Sequence, residues 1–171
     1  MALINRFKSG KGSLVRCSLE KSAIASLANQ ASNYLMTHQI PQRIGSLHPN
    51  IAPYGEVFKT KNSQNIVLAI GSDKQFENFC HVLKLEIYKN EKFKENKNRV
   101  IYRVELYEIL NARIQKFDAE ELLEKCHQLQ IPVGMVKDLK QVFETTTAQN
   151  MILEELQNDT LTRRISSVAF D

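Results

Sequence analysis

The sequence predicts an α/β protein. Three observations lead there. A short stretch of partly alternating polarity at 13–19 runs straight into a helical apolar pattern at 19–36. Two strand-like runs, 56–59 and 65–70, flank the polar turn 60–64. Helical patterns with start signals then fill much of the region from 72 to 129. A strand feeding a long helix is how an α/β layer is built, and period-2 runs around a polar turn make a hairpin.

In the first segment, Ser18 is placed to cap a single helix over 19–36. Ile24, Leu27, Ala28, Ala31 and Leu35 recur three and four apart and give it one apolar face. The pattern then breaks. Pro41, Gly45, Pro49, Pro53 and Gly55 punctuate 37–55, and no face can be traced through it. A long irregular stretch between regular elements is expected to be functional or to cross between domains. After the hairpin, Ser72 and Gln75 have capping-box spacing and open a helix with Phe76, Phe79, Cys80 and Leu83 on one side.

The charged stretch from Lys84 to Arg103 reads as a solvated linker, because its lysines and arginines alternate with Glu86, Glu91 and Glu95. A helix over 104–116 follows, with Val104, Tyr107, Leu110 and Ile114 as its apolar positions. Asp118 and Glu121 mark the next start, and Phe117 with Leu122 has the spacing of a hydrophobic staple. That helix is expected to bury Leu122, Leu123, Cys126 and Leu129 and to end at Pro132 and Gly134. A short helix at 139–143 precedes a tail, 151–170, that reads as two strands around a turn at 157–160.

Composition narrows the function. The chain has 171 residues, is 43% hydrophobic and 25% charged, and carries a net charge of +4. That suits one globular domain, or one plus a piece of another. The interleaved acids argue against nucleic acid as a partner, since a binding patch needs unopposed cations. No run approaches the ~18 apolar residues of a membrane helix, and residues 1–12 have no apolar signal core. Cys17, Cys80 and Cys126 are odd in number and widely spaced. They point to a reducing compartment and to three small core hydrophobes.

No motif of known chemistry survives inspection. Gly10-Lys11-Gly12-Ser13 is not a P-loop, because Asn5 stands where a glycine is needed and Gly12 where a Ser or Thr is needed. It reads as a turn ahead of the strand. His38, His48, His81 and His127 show no metal-ligand spacing with the cysteines, so no metal site is assigned.

Beyond these patterns, several stretches resemble the family III coenzyme A transferases, the carnitine and bile-acid type, in the family's own order. They are Ala2-Leu3 with Arg6 and Gly10-Lys11-Gly12; Val15 with Ser18-Leu19; and Ala28-Asn29-Gln30 with Asn33-Tyr34-Leu35. Next come Gly45 through Gly55 (GSLHPNIAPYG), Phe58-Lys59-Thr60, Ile66 through Gly71, and Gln75-Phe76. Phe93, Asn96, Arg99-Val100 and Arg103 follow, then Ile131-Pro132-Val133-Gly134 with Asp138-Leu139 and Val142-Phe143. His38, Met135 and Lys137 depart from the family's usual residues.

The resemblance implies an enzyme that moves CoA from an acyl-CoA thioester to a carboxylic acid. Residues 1–36 would be the last strand–helix unit of a Rossmann-like large domain. Residues 37–54 would be a crossover or active-site loop, 55–150 a small α+β domain, and 151–171 a return toward the large domain. His48, Pro49, Asn50, Ile51 and Tyr54 would belong to a loop over the substrate and CoA site, shielding reactive intermediates from water. The family's attacking group is an aspartate. It precedes the segment matched by Ala2-Leu3, and none of Asp73, Asp118, Asp138, Asp159 or Asp171 stands in its motif.

No catalytic residue is therefore assigned, and the chain reads as a truncated C-terminal part. The alternatives are an acyl-CoA racemase of the same superfamily and a non-catalytic remnant. The HPNIAPYG stretch favours the transferase. The resemblance also implies a cytoplasmic or organelle-matrix protein, an interlocked homodimer, CoA thioester as substrate and no permanently bound cofactor.

Overall fold

A computed structural model describes residues 1–167 of the chain. The backbone divides into two compact units, Met1–Ile44 and Gly45–Asp171. The expected tail extends over 168–171, which lie outside the described residues.

The first unit is helical. Helix α1 (Ala2–Ser9) ends on Gly10, whose left-handed φ of 68° lets its N–H close the helix on the Arg6 carbonyl. The expected strand at 13–19 is not formed. Those residues before the next helix pair with no other strand, so the Gly10–Ser13 turn follows a helix and leads into coil. Ser18 does cap a helix, its side chain accepting from the Lys21 N–H. That helix is two: α2 (Leu19–Ala25) and α3 (Ala28–Thr37). The break falls at Ser26-Leu27, where the Ser26 hydroxyl bonds back to the Ser22 carbonyl and Ala28 takes a positive φ of 46°. A serine folding back on the preceding turn competes with the backbone ladder. Cys17 is exposed, not a core residue, with its sulfur 3.4 Å from the Ser22 hydroxyl.

The second unit holds the core. Strands β1 (Tyr54–Lys59) and β2 (Asn65–Ala69) form the expected antiparallel hairpin, with Phe58 opposite Ile66. A bulge between Tyr54 and Val57 shifts the register. A third strand, β3 (Val133–Met135), adds antiparallel to the far edge of β2, with Val67 opposite Gly134. Three residues after Pro132 are too few for an alternating signal. Along β1 the alternation puts Glu56 and Phe58 on the inner face together.

Helix α6 (Arg103–Ile114) packs against β1 and α7 (Ala119–Gln128) against β3, with α4 (Asp73–Leu83) packed on α7 and α5 (Asn96–Ile101) on α6. The capping box at Ser72 and Gln75 is made in both directions, and Phe76, Phe79, Cys80 and Leu83 are buried. Helix α6 turns differently from expectation. Leu106, Leu110 and Ile114 are buried, whereas Val104 is 74% and Tyr107 38% exposed. Helix α7 buries Ala119, Leu122 and Cys126 and leaves Leu129 half exposed.

The Lys84–Arg103 stretch is no solvated linker. It holds the short 3₁₀ turn Ile87–Lys89 and α5, and its Arg99 is fully buried. Helix α8 (Leu139–Phe143) starts on a capping box between Asp138 and Gln141, and α9 (Thr146–Gln149) on Thr145. The tail pairs as β4 (Ile152–Gln157) and β5 (Thr160–Ile165) around Asn158 and Asp159, both at positive φ. That is the geometry of a tight hairpin turn.

Candidate functional site

The segment from Ser46 to Pro53 is irregular and leads into β1 at Tyr54, and its geometry follows from where its carbonyls go. The Ser46 hydroxyl donates to the Gly55 carbonyl at 2.7 Å, and the His48 N–H to the Tyr54 carbonyl at 2.9 Å, which closes the loop on itself. Gly55, at φ 86°, passes so close to Ser46 that a Cβ there would overlap the Ser46 carbonyl oxygen. The Ile70 N–H takes the Pro53 carbonyl at 3.1 Å, and the Ala52–Pro53 peptide is cis.

The other carbonyls face side chains from around α5. The Asn96 amide donates to the Asn50 carbonyl at 2.8 Å, and its oxygen accepts the Ala52 N–H at 3.1 Å. Arg99 Nε donates to the Ala52 carbonyl at 2.7 Å. Its Nη1 donates to the carbonyls of Phe93 and Lys94, and its Nη2 reaches Asp73 Oδ1 at 2.7 Å. The same aspartate oxygen accepts the Asn96 N–H, and the Arg99 guanidinium stacks 4.4 Å from the Phe76 ring centre. Arg103 Nη2 donates to the carbonyls of both His48 and Ile51. Three side chains three and seven positions apart on consecutive helical turns therefore hold the backbone of 48–52.

Arg103 has a buried counter-charge. Its Nε lies 3.0 Å from Glu56 Oε1, and Glu56 is 3% exposed. The pair is close enough for Coulomb attraction but not aligned as a hydrogen bond, and neither carboxylate oxygen has a hydrogen-bond partner among the described residues. Burial pushes the Glu56 carboxyl above its ordinary value, and the Arg103 charge only partly opposes it.

The five loop residues expected at a site fall as follows. His48 is half-buried and packs edge-on against Tyr54 at 5.4 Å. Its Nδ1 accepts the Asn50 N–H at 3.1 Å, which places the proton of the neutral ring on Nε2. Pro49 and Ile51 are half-buried, and Asn50 and Tyr54 are exposed. Reading residue types alone missed Glu56, Asn96, Arg99 and Arg103 as their partners. The only sequence signal for three of these was the family-like spacing of Asn96, Arg99 and Arg103.

Other reactive groups are poorly placed for chemistry. Burial pushes the Cys80 and Cys126 thiols up to about 12, so neither is a thiolate nucleophile near neutral pH. Among the described residues no group of three His, Cys, Asp or Glu side chains could hold a metal ion. Among the same residues no helix is long and apolar enough to cross a membrane.

The profile of CoA-transferase family III matches residues 1–170, and the chain belongs to that family. It is 35% identical over 149 residues to the succinate–glutarate CoA-transferase of Agrobacterium fabrum, covering 86% of this chain and 37% of that protein. It is 35% identical over 161 residues to the human succinyl-CoA:glutarate CoA-transferase, covering 93% and 36% respectively. A solved CAIB/BAIF family protein from Brucella suis superposes with a TM-score of 0.68 at 30% identity, covering 98% of this chain and 44% of that one. The chain thus spans little more than a third of the length of the curated relatives it matches.

Proposed function

We propose that this chain works as part of a family III CoA-transferase, moving CoA from an acyl-CoA thioester to a carboxylic acid. One observation carries the reading. Two of the family-like stretches, GSLHPNIAPYG and the Asn96–Arg99–Arg103 spacing, lie over 40 residues apart and are joined in one hydrogen-bonded site. In this reading His48, Pro49, Asn50, Ile51 and Tyr54 form a wall of the substrate and CoA site. The carbonyls of His48, Asn50, Ile51 and Tyr54 accept hydrogen bonds from within the protein, so what the wall offers a ligand is donors, the His48 Nε2–H among them. Donors suit the oxygen of a thioester carbonyl or a carboxylate.

The attacking carboxylate is placed outside these 171 residues, because none of their five aspartates stands in the family's nucleophile motif. Asp73 is held by Arg99, and Asp138 caps α8. Residues 1–36 would complete a Rossmann-like large domain, 37–54 the crossover, 55–150 the small domain, and 151–171 a return segment. The assembled enzyme would be a dimer in the cytoplasm or an organelle matrix, with CoA thioester as substrate and no resident cofactor.

The test follows CoA exchange between succinyl-CoA and a panel of dicarboxylic acids by mass spectrometry. The chain is assayed alone and with a polypeptide carrying the N-terminal part of the Agrobacterium relative. Background turnover alone and activity on mixing is the expected result. Turnover by the chain alone, lost on replacing one of its own aspartates, would show that the nucleophile has been misplaced.

A further inference from the structure

Resting on the reading of 48–54 as a wall of that site, we propose that Arg103 is a positioning residue, backed by Glu56, that fixes the wall in one conformation. The loop is then a pre-formed surface and not a lid. Segments that open and close have few buried contacts and few protected hydrogen bonds. This one is the reverse. The carbonyls at 48, 50, 51 and 52 all accept from side chains of Asn96, Arg99 and Arg103. The carbonyls at 53, 54 and 55 accept from Ile70, His48 and Ser46.

Within this set the arginines differ. Arg99 joins Ala52 to Phe93, Lys94 and Asp73, is fully buried, and belongs to the core. Among the described residues, the hydrogen bonds and ion pair of the Arg103 side chain go to the loop on one side and to Glu56 on the other, and the side chain is 15% exposed. Its planar head is suited to that task. Nη2 spans two loop carbonyls while Nε faces a carboxylate, a spread of donors that the single nitrogen of a lysine cannot match. Glu56 contributes charge, not hydrogen bonds, since neither of its oxygens is aligned with a donor. It keeps a largely desolvated guanidinium neutralised at the base of the loop.

The experiment is residue-resolved amide hydrogen exchange on the full 171-residue chain, with no ligand present. The reporters are the His48 and Ala52 amides, bonded to Tyr54 and to Asn96. The references are amides inside α4 and α6. Replacing Arg103 alone would leave Glu56 buried and unpaired, so the variants are Arg103→Gln/Glu56→Gln and, as a milder change, Arg103→Lys. The expected result is that the His48 and Ala52 amides of the double variant exchange roughly tenfold faster or more, while the helix references keep wild-type rates.

Arg103→Lys should show a smaller, equally local acceleration. Wild-type protection of the loop in the double variant overturns the proposal, because the loop is then held without Arg103. If the double variant does not fold, Arg103→Lys decides. Local acceleration supports the role, whereas unchanged loop rates, or a uniform loss across loop and helices, assign Arg103 to general stability and overturn it. Failure of the CoA-exchange assay would leave this outcome untouched, since exchange is read without substrate.

Discussion

Glu56 is buried on the same face of β1 as Phe58, inside the bulge between Tyr54 and Val57, with Arg103 Nε 3.0 Å from its carboxylate. Its burial has a pH signature. The folded-state value is raised above the ordinary 4.5, by desolvation first and against the pull of Arg103. In the window above 4.5 the folded chain therefore binds more protons at this site than the unfolded chain does. The contribution of Glu56 is fully present below 4.5 and is lost as pH rises through the raised value. Glu77, Glu86, Glu121 and Glu155 act in the opposite sense, held low mainly by hydrogen bonds from Lys74, Lys89, Lys125 and Arg164. They are common to wild type and variant and cancel in a difference. Denaturant unfolding of wild type and Glu56→Gln from pH 4.5 upward should show wild type losing stability relative to the variant as pH rises. A flat difference, or one of opposite sign, would mean that the ion pair outweighs desolvation. None of this was legible in residue types. Arg99 and Arg103 sit in a run of alternating charges, and their partners in the loop and at Asp73 lie 26 to 55 positions away.

Elements were legible where their signals are local. Ser72 and Gln75 are three residues apart and make both bonds of a capping box; the two strands of the first hairpin are set by alternation across one polar turn. Asp118 shows where a local signal misleads. It stands at the N-cap of α7 but makes no capping bond. The Ala119 N–H is taken instead by the side-chain oxygen of Asn62, from the β1–β2 turn, at 3.1 Å. Asn62 also accepts from Thr60 and donates to Glu120. Asp118 is left with a 3.8 Å exposed pair to Lys61. Such a pair contributes little, whereas a lost cap costs about 1 kcal/mol. Thermal or urea unfolding should therefore rank Ser72→Ala and Asn62→Ala about 1 kcal/mol or more below wild type. Asp118→Ala should fall within about 0.5 kcal/mol of it. If Asp118→Ala proved the costlier of the two changes around α7, the cap would have to be reassigned to the aspartate. The break in the 19–36 helix was hidden for a related reason, since the apolar spacing runs unbroken through Ser26-Leu27 and only the backbone reveals the turn.

At the scale of the whole molecule, stability and apolar surface are unequally divided. Every buried apolar residue among the described residues lies between Ala52 and Ala148. Met1–Ile44 buries none, and Phe7 (88%), Leu35 (70%) and Leu3 (68%) stand open. Its helices span 8, 7 and 10 residues. Isolated helices shorter than ~12–15 residues are marginal in water, and helical stability in proteins comes mostly from packing an apolar face. The faces are present in 1–44, but among the described residues they are not buried. Exposed apolar helix faces of this kind mark a place where another surface docks, which agrees with proposing that this unit completes a larger domain. Two measurements follow. A fragment of residues 45–171 should unfold cooperatively with the same midpoint as the full chain, because the core it needs is all its own. In the full chain the amides of α1, α2 and α3 should exchange near unprotected rates, while those of α4 and α6 are protected. Adding the polypeptide that carries the N-terminal part of the Agrobacterium relative should then slow exchange in α2 and α3 without changing α4. A midpoint that drops markedly on removing 1–44, or strong protection of α3 in the chain alone, would show that the first unit is stabilised within this chain. Its exposed leucines would then need another explanation than a missing partner surface.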